Sequence, residues 1–345
     1  MNTNSTALRA GAILFTSFVA FAGSAYAANQ AADDASQPAY NSGWTNGQNS
    51  GVGFGPWVFY TQITQPNEGA GHFVATSGGN PDLNNIASGA PGRAWGTFSN
   101  EAFTGGNDLQ LTAAVRSFTG GPLLPGQVFT VKFEHGFIQS GNLNPEFGPR
   151  VGGWVGVTLR NGTIAQFIED PLQPFGNISG TWGFGFQGGS TNYLVYDNMT
   201  PSGRATNVPF TVDGLIVEFY LETVNPLNGF NYAAVIKNAQ TSNILDIIRG
   251  PVGNAPIDAF GLYNRNAEFA DAFFNSVSIT GTFPCCTGNA DKIVPGGVEF
   301  SDITSVLANF GNGYGVTGPG DADCEGNVNF SDITAVLANL GQACN

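Results

Sequence analysis

From residue 43 to 283 the chain alternates between short apolar, β-favouring runs and breaks made of Gly, Pro and Asn. The runs that stand out are 57–63, 94–98, 109–115, 127–133, 154–159, 163–168, 182–186, 193–196, 215–224, 230–236, 243–248, 259–263 and 273–280. In 127–133, Val128, Thr130 and Lys132 fall on one face and Phe129, Val131 and Phe133 on the other, the two-residue period of a half-buried strand. In 182–186, Trp182, Phe184 and Phe186 share one side, while Gly183 and Gly185 leave the other flat enough for another sheet or a ligand to approach. Asn161-Gly162, Asp213-Gly214 and Asn228-Gly229 stand where hairpins need turns. No helical stripe interrupts this stretch. Many short strands with one apolar face predict two packed antiparallel sheets, an all-β sandwich or jelly roll.

The period changes near the C-terminus. Ile333, Val336, Leu337 and Leu340 recur at i, i+3, i+4, i+7 and are closed by Gly341; Ile303, Val306, Leu307 and Phe310 do the same before Gly311. An oxygen-rich loop leads into the second of these predicted helices. With Asp321 as position 1, side-chain oxygens fall at Asp323 (3), Glu325 (5), Asn329 (9) and Asp332 (12), Gly326 supplies the turn at position 6, and Asn327 offers its carbonyl at 7. That is EF-hand spacing for calcium, with Asp in place of the usual Glu at position 12. The alternative without metal is an Asx-rich turn that caps the helix. Residues 296–311 align without gaps on 326–341 with 12 of 16 identities, so the unit is duplicated at an offset of 30. In the first copy Asp291 takes position 1, but Ile293 and Pro295 occupy 3 and 5. Inserting two residues instead brings Asn289 and Asp291 to positions 1 and 3, with Glu299 and Asp302 completing the site. One regular and one irregular loop are expected.

Two loop-helix units with Val298 and Val328 at position 8 and Asp at position 12 resemble the type I dockerin module, over about the last 60 residues. The resemblance implies two calcium loops, each followed by a helix, packed antiparallel about a pseudo-twofold axis. It implies calcium as the cofactor and carries ligand roles onto Asp321, Asp323, Glu325, Asn329 and Asp332. Dockerins that bind cohesins carry small hydroxyl residues at loop positions 10 and 11 and a basic pair in the helix. This chain has Phe300-Ser301 and Phe330-Ser331 there, and neither helix contains Lys or Arg. Calcium-dependent folding is thus the expectation, and cohesin docking is not.

Arg9 is the only charge before the apolar run 10–22, and Ala25-Tyr26-Ala27 supplies small residues for cleavage, so 1–27 reads as a secretory signal peptide. The run is too short to span a membrane. Residues 28–42 read as a flexible entry segment, 43–283 as the sandwich and 284–345 as the dockerin-like domain. With 11 Lys plus Arg against 25 Asp plus Glu, the chain is poorly suited to nucleic acid or an anionic membrane and well suited to calcium. Cys285, Cys286, Cys324 and Cys344 all lie in the tail. An exported small domain is where disulfides contribute most, and a bond between neighbours is strained, so Cys285 and Cys286 should each reach one of Cys324 and Cys344.

The body holds no catalytic motif. His72 and His135 are its only histidines and belong to no metal or esterase signature. Glu218, Tyr220 and Glu222 share a strand face, but four extended residues span roughly 13 Å, against about 5 to 5.5 Å for a retaining glycosidase pair. Trp44, Trp57, Trp95, Trp154 and Trp182, with Tyr193, Tyr196 and Tyr220, are enough for one or two sugar-stacking platforms, although most must fill the core. Three readings remain for a lectin-like sandwich with a dockerin-like tail: a secreted glycan-binding or surface component, a sandwich-fold polysaccharide hydrolase, and a structural matrix protein. The partners are then a polysaccharide or a surface or scaffold protein.

Overall fold

The computed structural model describes residues 31–63, 69–100, 110–138, 143–144, 148–149, 153–163, 182–197, 200–225, 229–253, 255–267, 270–280, 290, 296–311, 320, 322, 328–341 and 343–344. The strands are β1 (Ala31–Asp33), β2 (Val58–Ile63), β3 (Gly69–Thr76), β4 (Arg93–Asn100), β5 (Gln110–Ser117), β6 (Val128–His135), β7 (Leu143–Asn144), β8 (Gly148–Pro149), β9 (Trp154–Arg160) and β10 (Trp182–Gln187). There follow β11 (Asn192–Asp197), β12 (Thr200–Pro209), β13 (Leu215–Asn225), β14 (Gly229–Asn238), β15 (Ile244–Gly253), β16 (Ala259–Arg265) and β17 (Ala272–Thr280). The tail adds β18 (Gly296–Gly297), α1 (Phe300–Asn309), α2 (Phe330–Asn339) and β19 (Ala343–Cys344).

The body is an antiparallel β-sandwich. One sheet runs β15-β14-β13-β6-β17-β4-β3 with β1 added beside β17, and the other runs β12-β11-β10-β9-β16-β5-β2. Alternation decides what lies between them. Phe129, Val131 and Phe133 point inward from β6, meet Phe219 and Val217 of β13, and are all fully buried. From the opposite sheet Trp182, Phe184 and Phe186 enter the same core, with Phe184 stacked on Tyr193 at 5.3 Å and Trp182 5.0 Å from Phe219. Large rings interdigitating across the sheets supply the burial that so glycine-rich a chain cannot draw from aliphatic side chains alone.

Several features differ from the sequence-based expectation. Residues 31–42 are packed rather than flexible. β1 pairs with the second half of β17 through Ala31↔Ile279 and Asp33↔Val277, where a bulge between Asn275 and Ser278 has carried β17 away from β4. Asp33 is buried against the Arg116 guanidinium and accepts the Tyr40 hydroxyl, and Arg116 also donates to Gly55 O at 2.6 Å and Asn49 Oδ1 at 2.6 Å. A polar, acidic composition suggested solvation; one buried arginine in β5 supplies the partner that composition cannot show. β3 and β12 lack an apolar alternation and were not expected. Both are edge strands, where Gly and Pro are tolerated. Of the three turn signals, Asn228-Gly229 precedes β14, which pairs antiparallel with β13, although Asn228 itself lies outside the described residues, whereas Asp213-Gly214 carries the chain from one sheet to the other. Asn161-Gly162 ends β9 without a tight return, since β10, its antiparallel partner, begins only at Trp182. The run 163–168 lies outside the described residues except for Thr163, as do the leader 1–27 and the whole of the 281–289 junction. Among the described residues no helix is long and apolar enough to cross a membrane.

In the tail, the two helices close on a small core of Val298, Val306, Val328, Val336 and Ala335, with Ile303 and Ile333 half-buried beside it. Gly311 N–H donates to Val328 O and Gly341 N–H to Val298 O, both at 2.8 Å, so residues 30 apart in sequence make reciprocal bonds. Only part of each apolar stripe is buried. Leu307 and Leu337 are exposed at 61% and 57%, and Phe310 and Leu340 at 43% and 38%, because so small a core is filled by its valines and alanines.

Candidate functional site

The side of the seven-stranded sheet that faces away from the core is built unlike a solvated strand face. Register places its residues in rows. Leu194, Gly185, Gly156, Tyr263, Ala113 and Tyr60 lie side by side across β11, β10, β9, β16, β5 and β2. The next row is Tyr196, Gly183, Thr158, Gly261 and Val115, and the row on the other side is Gln187, Trp154, Arg265, Leu111 and Gln62. Arg160 closes β9 opposite Ala259. Glycines at 156, 183, 185 and 261 therefore make a low floor in the middle of the sheet. Glycine in a strand interior costs stability and marks close approach by something else. Here Tyr263 lies over it: a Cβ at Gly156 would stand 2.7 Å from the Tyr263 hydroxyl and 2.3 Å from Phe184 O, and one at Gly185 2.8 Å from the same hydroxyl.

Rings and cations surround the floor. Trp154 and Tyr196 lie 5.4 Å apart at 43° and form, with Leu111, Val115 and Tyr263, a cluster separate from the main core. Arg160 and Arg265 are buried, at 2% and 8% exposure, as is Thr158. Burial pulls the Arg160 guanidinium down to about 10, against the charge of neighbouring Asp258. Burial likewise raises the phenols of Tyr196 and Tyr263 well above their ordinary range, so both stay protonated and can donate hydrogen bonds but not act as bases. Tyr60 already donates to Thr163 O at 2.5 Å.

None of the tryptophans numerous enough to supply a stacking platform is exposed: Trp44, Trp57, Trp95, Trp154 and Trp182 are all buried, in line with the expectation that most fill the core. Trp154 alone of the five lies on the outward face. Glu218 and Glu222 sit on the opposite sheet, each with its own cation: Glu218 holds Lys237 at 2.7 Å and accepts the Tyr220 hydroxyl at 2.7 Å, and Glu222 faces Arg249 at 3.6 Å. They do not share a proton or face a common point. His72 stacks on Phe59 at 3.8 Å and His135 is enclosed by Phe133, Phe186, Tyr193 and Phe210, so both are packing residues. A cavity of about 140 Å³ at one end of the sandwich is lined by Pro122, Leu124, Pro125, Phe230 and Pro256, too apolar to orient a sugar.

Of the tail residues, Asp302 and Asp332 are fully buried at the third position of their helices, where they accept the cap N–H of Glu299 and Asn329, each at 2.7 Å. The other Asp332 oxygen takes Ala322 N–H at 2.6 Å, and the Asn329 side chain takes Ser331 N–H at 2.7 Å. Asn289, Asp291, Asp321, Asp323, Glu325, Asn327, Cys285, Cys286 and Cys324 lie outside the described residues. The backbone of Cys344 pairs with Gly296. Among the described residues no three metal-type side chains converge.

No family model matches the chain, and no curated protein does. Among solved structures it is similar to the legume lectin-like domain from Entamoeba histolytica, at 13% identity over 66% of this chain and 90% of that one, with a TM-score of 0.34. It is similar to the T. cruzi calreticulin globular domain at 11% identity over 65% and 84%, TM-score 0.36. Alginate lyase vAL-1 from Chlorella virus matches at 10% identity over 57% and 88%, TM-score 0.31. Likenesses this remote carry no argument about function, which rests on the residues themselves.

Proposed function

We propose that this chain is a secreted glycan-binding protein, a β-sandwich that holds a polysaccharide on the outward face of its seven-stranded sheet and carries a calcium-binding, dockerin-like tail for assembly or attachment. The observation behind the first half is a four-glycine floor bordered by Trp154, Tyr196, Tyr263, Arg160 and Arg265, which are themselves buried, with Tyr60, Leu194 and Gln187 half-buried along its rim, on a sheet face that packing against the other sheet does not require. Aromatic surface for sugar rings and fixed hydrogen-bond groups for hydroxyls are what sugar recognition needs. The tail reading is supported by the duplicated loop spacing and by buried Asp302 and Asp332, hard oxygen donors held at loop position 12 by their own helix N-termini. Asp321, Asp323, Glu325, Asn327, Asn329 and Asp332 are the residues that would hold calcium.

The mature chain on a polysaccharide array, with hydrolysis assayed on the same ligands, tests the first half. Retention without chain cleavage is expected, and Trp154→Ala should weaken it roughly tenfold or more. No retention on any polysaccharide would overturn the reading, and cleavage would turn it into a hydrolase. Calorimetric titration tests the second half: calcium uptake should be lost in Asp321→Ala, and absence of uptake at millimolar calcium would refute it.

A further inference from the structure

The two helices of the tail leave much of their apolar surface in water. Phe300 and Phe330 are exposed at 73% and 74%, and Leu307, Leu337, Phe310 and Leu340 are exposed as well. On α1, Phe300, Thr304 and Leu307 follow one another at i, i+4, i+7, and on α2 Phe330, Thr334 and Leu337 repeat that stripe. The two stripes meet. The Phe310 ring stands 4.9 Å from the Phe330 ring, and the Gly311–Val328 and Gly341–Val298 bonds bring the end of each helix to the start of the other. At roughly 200 Å² for a fully exposed Phe and somewhat less for Leu, the six apolar side chains hold roughly 650 Å² in water. A typical monomer exposes patches of about 300–600 Å². With Thr304, Ala308, Thr334 and Ala338 exposed among the six, the surface approaches the roughly 800 Å² that each partner gives to a standard interface.

Charge bears on what covers it. Asp302 and Asp332 are the charged residues of the two helices and both are fully buried, so no exposed side chain of α1 or α2 carries a charge. Glu299, one residue before α1, sets a single charge beside the stripe, and its counterpart before α2 is Asn329. We propose that this surface is an isologous interface between two copies of the chain, in which the α1 and α2 stripes of one tail pack on those of the other. It rests on the assembly role given to the tail above, and is independent of the glycan half of that reading. Charge complementarity is what sets register and rejects wrong partners, and an uncharged face offers a different partner little of it. To an identical face it is complementary as it stands, and homodimer interfaces are the ones depleted of charge at their centre. Two chains of net charge −14 repel, so a contact between copies is confined to a place where neither presents charge. The duplication also supplies equivalent halves, Phe300 with Phe330 and Leu307 with Leu337, as suits an interface in which residue i meets j and j meets i.

The test is sedimentation velocity of the mature full-length chain in millimolar calcium, from roughly 1 to 100 µM, a range that starts at the weak end of the affinities such an interface reaches. The mass should double within that range. Raising the salt should strengthen the association, because screening removes the repulsion between acidic chains and leaves apolar burial in place; weakening by salt would mean an interface held by ion pairs and overturn the proposal. Leu307→Glu and Leu337→Glu should each raise the dissociation constant at least roughly tenfold, since both copies then bring a like charge to the contact. Phe300→Ser combined with Phe330→Ser should do the same without adding charge. These side chains are exposed in the single chain, so melting curves at concentrations where the parent is monomeric should be unchanged. A lower melting temperature there would mean that the surface is covered from within the chain, and would overturn the proposal. A monomer at every concentration would leave the surface to a different partner and overturn it too, as would a dimer that persists in Leu337→Glu. Calcium uptake by the same samples reports on the tail reading separately: a monomer that takes up calcium refutes the dimer alone, and a monomer that takes up none refutes both.

Discussion

His135 makes acid stability of the body a quantitative test of its packing. The imidazole is fully buried, its Nδ1 lies 2.7 Å from Gly136 O, and Nε2 points into the ring of Phe133, Phe186, Tyr193 and Phe210 with no polar partner. Burial pushes its pKa down to about 4, and it does the same to His72, which stacks on Phe59 and meets Ala113 O at 3.0 Å. Both are neutral when folded and take up a proton near 6.5 when unfolded. The unfolded chain therefore binds more protons between pH 6.5 and 4, and stability falls as pH falls through that window. With those two values, linkage gives a loss of about 2 kcal/mol per histidine at about pH 5, or about 4 kcal/mol together, a large share of a typical 5–15 kcal/mol. Asp271 works in the opposite direction, because burial, and then Asp82 beside it, raise its carboxyl to about 6. A comparison of variants removes that offset. His135→Phe suits an aromatic enclosure and does not titrate, so its stability difference between pH 7 and pH 5, measured by urea unfolding, should be about 2 kcal/mol smaller than that of the parent chain. The same pH difference in parent and variant would show that His135 is solvated or hydrogen-bonded in its charged form, and would refute the packing described.

The remaining predictions concern backbone approach, a buried pair and surface repulsion. Gly185→Ala should destabilise the body by about 2 kcal/mol or more, since its Cβ would stand 2.3 Å from Val155 O, and an unchanged melting temperature would contradict the close approach at the floor. Asp33→Asn, which leaves the Arg116 guanidinium buried without its carboxylate, should cost about 3 kcal/mol in denaturant unfolding; a cost near zero would mean that β1 does not hold the sheet. Asp82→Asn should raise the melting temperature at about pH 7 by a degree or two and have no effect at about pH 5, where Asp271 is already protonated; the shift is small because Asp82 is exposed and screened.

What the residue pattern alone determines here is the set of strands that carry their own burial. The alternation of Phe129, Val131 and Phe133 fixes both the strand and its inward face, and Trp182, Phe184 and Phe186 do so from the opposite sheet. In the tail, the 30-residue duplication locates two helices, since 3.6-residue periodicity is a local property. Tertiary structure decides everything that depends on a partner. β12, with two prolines and a glycine, is a strand only because β11 pairs with it, and β1 is ordered only because a bulge in β17 leaves it an edge and Arg116 gives Asp33 a counter-charge. The stripes of α1 and α2 are half exposed because a core of this size closes on Val306 and Val336 before it reaches Leu307 and Leu337. Gly183 and Gly185 announce a flat face, but Trp154, Arg160, Tyr263 and Arg265 come from two separate strands, and no local period relates them. Their convergence follows from the β9–β16 register, which is set by hydrogen bonds between strands about a hundred residues apart and so is invisible to any window of sequence.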